Sequence, residues 1–172
     1  AVTLKKRELH NLGFGKGKTA LLLNGNCLSF FIDLFSIWEM GGRCLVINKA
    51  VNSSLIQNIL KKYSVDLIVE NDGTYHPTIG SLRELSFSGA LLLLSSGTSG
   101  YPKIVELSEK RIKDRIACIQ TMIGGNVGRG LVFLSTAFGH GLIANCLSLL
   151  ASNRDLVISG EFDVELAVNL KK

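Results

Sequence analysis

Apolar residues in this chain gather in short runs of strand length, and stretches of helical length and periodicity separate them. Thr19 to Asn24 (TALLLN) is the first such run; a helical stretch from Leu28 to Met40 follows, with Asn26 as its expected cap and Gly41-Gly42 as its stop. The alternation repeats with a strand over Arg43 to Ile47, a helix near Ser54 to Tyr63 introduced by Asn52 and Ser53, and a strand over Val65 to Glu70. After a turn-rich segment, Asn71 to Ser88, the run Ala90 to Leu94 is apolar throughout, which suits a strand covered on both faces. The pattern continues with a strand over Lys103 to Leu107, a helix capped by Ser108 toward Ile123, and a glycine-rich connection, Gly124 to Gly130. It ends with a strand over Leu131 to Leu134, a helix from about Gly141 to Ala151, a strand over Asp155 to Ile158 and a short helix after Asp163. Such alternation predicts an α/β fold: a mainly parallel sheet with helices on both faces.

The chain has 172 residues, 47% of them hydrophobic, so residues 1–172 read as a single α/β domain able to bury a sizeable core. No apolar run approaches the roughly 20 residues a spanning helix needs, and Asp33 interrupts the most apolar helix-length segment, so no membrane partner is expected. The first residues, AVTLKKRELHNLG, lack the apolar core of a secretory signal, and the expected location is cytoplasmic. Cys27, Cys44, Cys118 and Cys146 lie far apart among apolar neighbours with no C-x-x-C pairing; they read as buried thiols, and no residue is assigned to a metal. Lys and Arg number 19 against 14 Asp and Glu, a net +5 that favours anionic ligands. These cations are dispersed, however, and aromatic residues make up only 7%, mostly Phe inside apolar stretches, so nucleic acid is not an expected partner.

Two glycine-rich segments invite a phosphate-binding reading. In GFGKGKT, Gly13 to Thr19, the pattern G-x-x-x-x-G-K-[ST] would need glycine at position 12, where Leu12 stands, and the segment leads into a strand instead of a helix. It reads as an exposed turn with solvated lysines. Ser95 to Lys103 (SSGTSGYPK) is different, because an apolar strand precedes it and another strand follows. Gly97 and Gly100 let the backbone curl so that successive N–H groups face one concavity, while Ser95, Ser96, Thr98 and Ser99 add hydroxyls and Lys103 a full charge. Pro102 stiffens the exit and fixes where Lys103 begins the next strand. Together these make a phosphate cradle.

Ser95 to Lys103 resembles the phosphate-binding signature of the adenylate-forming (AMP-binding) superfamily, [ST]-[SG]-G-[ST]-[ST]-G-x-P-K, at all eight defined positions of nine. Two neighbours depart from it: Ile104 stands where glycine is usual, and Glu109 where histidine often follows the Leu-Ser pair. The stretch TALLLNGNCLSFFIDLFSIWEMGGRCLVIN is similar to the superfamily's first strand-helix-strand unit, and SSLIQNILKKYSVDLIV to the next helix and strand. STAFGHGLIANCLSLLASNRDLVI resembles the segment that lends an aromatic or His residue to the carboxylate pocket, and either Phe138 or His140 can be aligned with that position.

The resemblance implies the N-terminal region of an ATP-dependent ligase that turns a carboxylate into its acyl-adenylate, an acyl-CoA synthetase in type. Its cofactors would be ATP and Mg²⁺; its partners, a carboxylic acid and the thiol of CoA or a carrier protein. By the same resemblance Ser95, Ser96, Gly97, Thr98, Ser99, Gly100 and Lys103 would bind the nucleotide phosphates, Lys103 and His140 would be catalytic, and Phe138, Gly139, His140 and Gly141 would line the substrate pocket. The superfamily's later motifs, [YF]-G-x-[ST]-E, [ST]-G-D and the lysine of its C-terminal domain, do not occur. The chain alone is therefore expected to be inactive, completed by a missing C-terminal portion or paired as a homodimer. The alternative is a non-catalytic remnant that serves as an interaction or structural module.

Overall fold

The computed structural model describes residues 1–70, 72–78, 90–95, 103–123 and 128–159. In chain order the elements are α1 (Val2–Asn11), β1 (Thr19–Asn24), α2 (Leu28–Glu39), β2 (Arg43–Asn48), α3 (Ser53–Lys62), β3 (Leu67–Glu70), β4 (Tyr75–Pro77) and β5 (Leu91–Ser95). Then come β6 (Lys103–Leu107), α4 (Glu109–Ile123), β7 (Arg129–Val132), a π-helix over His140–Leu147 that runs directly into α5 (Ser148–Ala151), and β8 (Asp155–Ile158).

A six-stranded sheet in the order β4-β3-β1-β2-β5-β6 forms the centre. The four apolar runs pair in parallel, with Leu22 opposite Val46 and Val69, and Val46 opposite Leu93. Strand alternation then sorts their side chains. Ala20, Leu22, Cys44, Val46, Leu91 and Leu93 join a core with Leu9 of α1, Phe30, Leu34 and Ile37 of α2, Ile112 of α4 and Leu142 of the π-helix. Leu21, Leu45, Ile47 and Leu92 join a second core with Ile59 of α3. Helices therefore cover both faces, and β1 and β2 send their following helices to opposite sides, the arrangement that opens a crevice at the carboxyl ends of adjacent strands. Between α2 and β2 the turn needs its glycine pair: Gly41 has φ +72°, and a Cβ on Gly42 would stand 2.7 Å from the Phe14 ring.

Several elements depart from the sequence reading. The sheet is mainly parallel, as expected, but its edge strands β4 and β6 pair antiparallel. Strand β4 lies within the segment read as turns, and α1 was not anticipated because it buries only Leu9. Strand β7 starts two residues earlier than expected and pairs with β8 in a separate two-stranded parallel sheet. The helix expected from Gly141 is a π-helix over most of its length. Asn52 does cap α3, accepting the Ser54 N–H at 2.9 Å, and Ser108 accepts the Arg111 N–H at 3.4 Å. Asn26 is no cap: the N-cap of α2 is Cys27, with no side-chain capping bond. Cys44 and Cys146 are buried, whereas Cys27 is half-buried and Cys118 is exposed on α4. The helix expected after Asp163 lies outside the described residues. No helix among the described residues is long and apolar enough to cross a membrane.

Candidate functional site

Strand β5 ends at Ser95 and β6 begins at Lys103, and these two residues are cross-strand partners. The Ser95 hydroxyl donates to the Lys103 carbonyl at 3.1 Å, so both ends of the phosphate-binding signature are pinned together at the carboxyl end of the central strands. Ser96, Gly97, Thr98, Ser99 and Gly100 lie outside the described residues. Lys103 is exposed, and among the described residues its ammonium enters no ion pair. An exposed lysine close in sequence to several hydroxyl residues is a donor set of the kind that can bind a polyphosphate.

The second predicted group, Phe138 to Gly141, arrives from the far side of the chain and reaches the same end of the sheet. The Asn26 side chain, just past β1, donates to the Leu134 carbonyl at 3.0 Å and to the Ser159 carbonyl at 3.4 Å. Its oxygen accepts the Thr136 N–H at 3.0 Å. At the end of β2, Asn48 Nδ2 donates to the Ser135 hydroxyl at 3.1 Å. Residues 134–137 thus lie across the crevice between β1 and β2. From there the Phe138 N–H returns to the Ser135 carbonyl at 3.1 Å, and Gly139 packs against β5, its Cβ position 3.2 Å from Leu93 Cδ1. Gly141 is buried on Ser135: a Cβ there would sit 2.4 Å from the Ser135 carbonyl oxygen, so only glycine fits.

The structure therefore brings Phe138–Gly141 beside the strand that feeds the signature, although no hydrogen bond joins Lys103 to His140 among the described residues. Phe138 is 61% exposed, and His140, the first residue of the π-helix, is exposed as well. Asn48, Ser135 and Thr136 were not singled out from the sequence; the asparagine-rich exits of β1 and β2 were the available signal.

A second polar cluster lies elsewhere. Asp33 of α2 is only 2% exposed; it accepts a hydrogen bond from the Tyr75 hydroxyl at 3.2 Å and has the Lys5 ammonium at 3.9 Å. Lys5 also donates to Tyr75 and pairs with Glu8 at 2.9 Å. Burial pushes the Asp33 carboxyl up despite the nearby Lys5 charge, and burial pushes Tyr75 up to about 12. For Lys5 burial acts downward, but the bonds to Tyr75 and Glu8 outweigh it and its pKa stands above the ordinary value. A cavity of about 530 Å³ opens on the helical face, lined by Phe35 and Trp38 of α2, Ile112 and Ile116 of α4, and Leu147 and Leu150. Among the described residues, no strand end lines it.

No protein-family model and no curated protein matches the sequence. Solved structures do. o-Succinylbenzoate CoA synthetase (MenE) from Bacillus subtilis, in complex with the acyl-adenylate intermediate OSB-AMP, is similar at a TM-score of 0.80 and 15% identity over 95% of this chain and 49% of that one. The same enzyme in complex with ATP and magnesium ion gives 0.78 and 15% over 98% and 51%. ATP-bound MatB from Rhodopseudomonas palustris gives 0.78 and 14% over 96% and 39%. The chain spans about half the length of these proteins or less. Its fold is that of the N-terminal part of adenylate-forming, acyl-CoA synthetase-like enzymes.

Proposed function

We propose that residues 1–172, as a single α/β domain, are the N-terminal part of an ATP-dependent ligase that activates a carboxylate as its acyl-adenylate. The observation that carries this reading is the placement of Ser95 and Lys103, the two ends of the signature, at the carboxyl end of the parallel strands, with Gly139 packed on Leu93 of β5. In the reaction a carboxylate oxygen bonds to the α-phosphorus of ATP, the link from that phosphorus to the bridging oxygen breaks, and pyrophosphate leaves. Lys103 and the hydroxyls and N–H groups of Ser95 to Gly100 would hold the phosphates and stabilise the charge that gathers on the departing pyrophosphate. Mg²⁺, when bound, would neutralise the phosphates further. Phe138 would wall the carboxylate pocket, or His140 would donate a hydrogen bond to the reacting carboxylate. The thiol of CoA or of a carrier protein would then bond to the acyl carbon as its link to the phosphate oxygen breaks, giving the thioester and AMP in the cytoplasm.

The solved neighbours support the reading: the Bacillus enzyme holds an acyl-adenylate in one structure and ATP with magnesium in another. Motifs for adenine, ribose and the catalytic lysine are absent from this sequence, so the remaining portion of the enzyme, or a second copy of this chain, is the expected partner.

Carboxylate-dependent exchange of pyrophosphate into ATP tests the proposal. The 172-residue chain alone should give none. In an enzyme that contains it, Lys103→Ala should slow exchange about tenfold to a hundredfold, the loss of one charge-assisted contact of roughly 1.5–3 kcal/mol. Exchange by the chain alone would overturn the partial-enzyme reading. An unchanged rate in the variant would remove the signature from the mechanism.

A further inference from the structure

We infer that Asn26 and Asn48 are positioning residues of the site: they hold residues 134–137 across the crevice between β1 and β2 and so fix Phe138–Gly141 beside β5. The inference rests on the reading of Phe138–Gly141 as the wall of the carboxylate pocket.

Residues 134–137 belong to no helix or strand, so among the described residues no sheet ladder holds this stretch in place. Two side-chain amides do that work. Asn26 engages both ends of its amide at once, its oxygen on the Thr136 N–H and its nitrogen on the carbonyls of Leu134 and Ser159. Ser159 directly follows β8, so one amide binds the exits of β1, β7 and β8 together. Asn48 is itself oriented by the Ala50 N–H, which donates to its oxygen at 2.9 Å, leaving Nδ2 aimed at the Ser135 hydroxyl.

Leu134, Ser135 and Thr136 are thus each gripped by an asparagine. The grip passes on without slack. The Ser135 hydroxyl also accepts the Ala137 N–H at 3.3 Å, its carbonyl accepts the Phe138 N–H, and Gly141 lies directly on that carbonyl. The amide carries its donor and its acceptor on one carbon, whereas a carboxylate at position 26 would set its charge against two carbonyl oxygens. A pocket wall displaced by about 1 Å can cost a hundredfold in rate, so these amides set how well the pocket works without touching what it binds.

Amide hydrogen exchange on the chain and kinetics on an enzyme that contains it test this together. In Asn26→Ala the Thr136 and Phe138 amides should exchange at least tenfold faster, while those of Leu22 and Val46 in the paired strands keep their protection. Unchanged exchange at Thr136 overturns the inference. Should Asn26→Ala also expose Leu22 and Val46, Asn48→Ala decides, since it removes a single donor to Ser135: faster exchange at Ala137 and Phe138 supports the inference, and no change overturns it. In the kinetic arm, Asn26→Ala should raise the KM for the carboxylate at least tenfold and leave the KM for ATP within about twofold. Equal rises in both would overturn a positioning role. If the unsubstituted enzyme activates no carboxylate, the functional reading fails, and the exchange rates still decide whether the asparagines hold the segment.

Discussion

Two polar clusters tie irregular pieces of this chain to its sheet, and they do so with opposite chemistry. At the carboxyl ends of β1 and β2, Asn26 and Asn48 hold residues 134–137 with neutral amides whose hydrogen bonds lie between 2.9 and 3.4 Å. Beneath α1, the charged groups Lys5 and Asp33, with Tyr75 between them, tie α1 and β4 to α2. Neutral amides lose little on leaving water once each donor and acceptor is matched, and they do not titrate. Buried charges carry a large desolvation cost, visible in the raised pKa values of Asp33 and Tyr75. The difference teaches that the fold keeps its pH-dependent joints away from the strand ends that form the candidate site.

The largest effect that separates the two should come from Gly141→Val. It drives a side chain into the Ser135 carbonyl and should cost about 3 kcal/mol by overpacking, read as a lower urea midpoint. Stability within about 0.5 kcal/mol of the original would mean that the segment held by the asparagines is loosely packed.

Lys5→Met should cost about 2 kcal/mol at pH 7, because it leaves the buried Asp33 carboxylate with Tyr75 as its remaining partner there. Exchange protection at Thr136 should stay as it was. Faster exchange there would join the two clusters into one.

Alkaline pH should weaken the charged cluster alone. The raised pKa of Lys5 means that its stabilisation is complete below its ordinary 10.5 and fades as pH rises above that. Tyr75 acts in the same direction: between pH 10 and about 12 the unfolded phenol ionises while the folded one does not, so unfolding gains. Melting temperatures should therefore fall from about pH 10 upward, and more steeply for the original chain than for a Lys5→Met, Tyr75→Phe double variant. Parallel slopes would deny the cluster its role. The smallest effect is expected of Asn52→Ala, about 1 kcal/mol from the lost α3 cap, with both clusters undisturbed.

What could be read from the sequence was local. TALLLN announced β1 to the residue, and Lys103 to Leu107 and Asp155 to Ile158 were equally plain, because runs of apolar and β-branched residues between turn signals carry their own period. The caps Asn52 and Ser108 bond two and three residues away and were read correctly. The signature at Ser95–Lys103 is a local pattern too, and the structure describes its two ends alone. Asn26 was not, since its partners Leu134 and Thr136 lie 108 and 110 residues along the chain, and proximity of that kind leaves no periodic trace. Lys5 and Tyr75, 70 apart, escaped likewise, and with them α1 and β4. The antiparallel turn of β6 follows from the short link between β5 and β6, too brief for a crossover helix.

Helix α2 passes all three places in turn. Asn26 stands just before it, Asp33 midway, and Trp38, the only tryptophan in the chain, near its end against the helical-face cavity. At about 1.5 Å per residue the helix is a rod of roughly 18 Å. An optical label is therefore built into the end remote from the strand exits. Emission from Trp38 reports first on the helical face, so a ligand held at Ser95–Lys103 can alter its colour or intensity chiefly by moving this rod, and a dark titration with no spectral change would say that the rod stayed still.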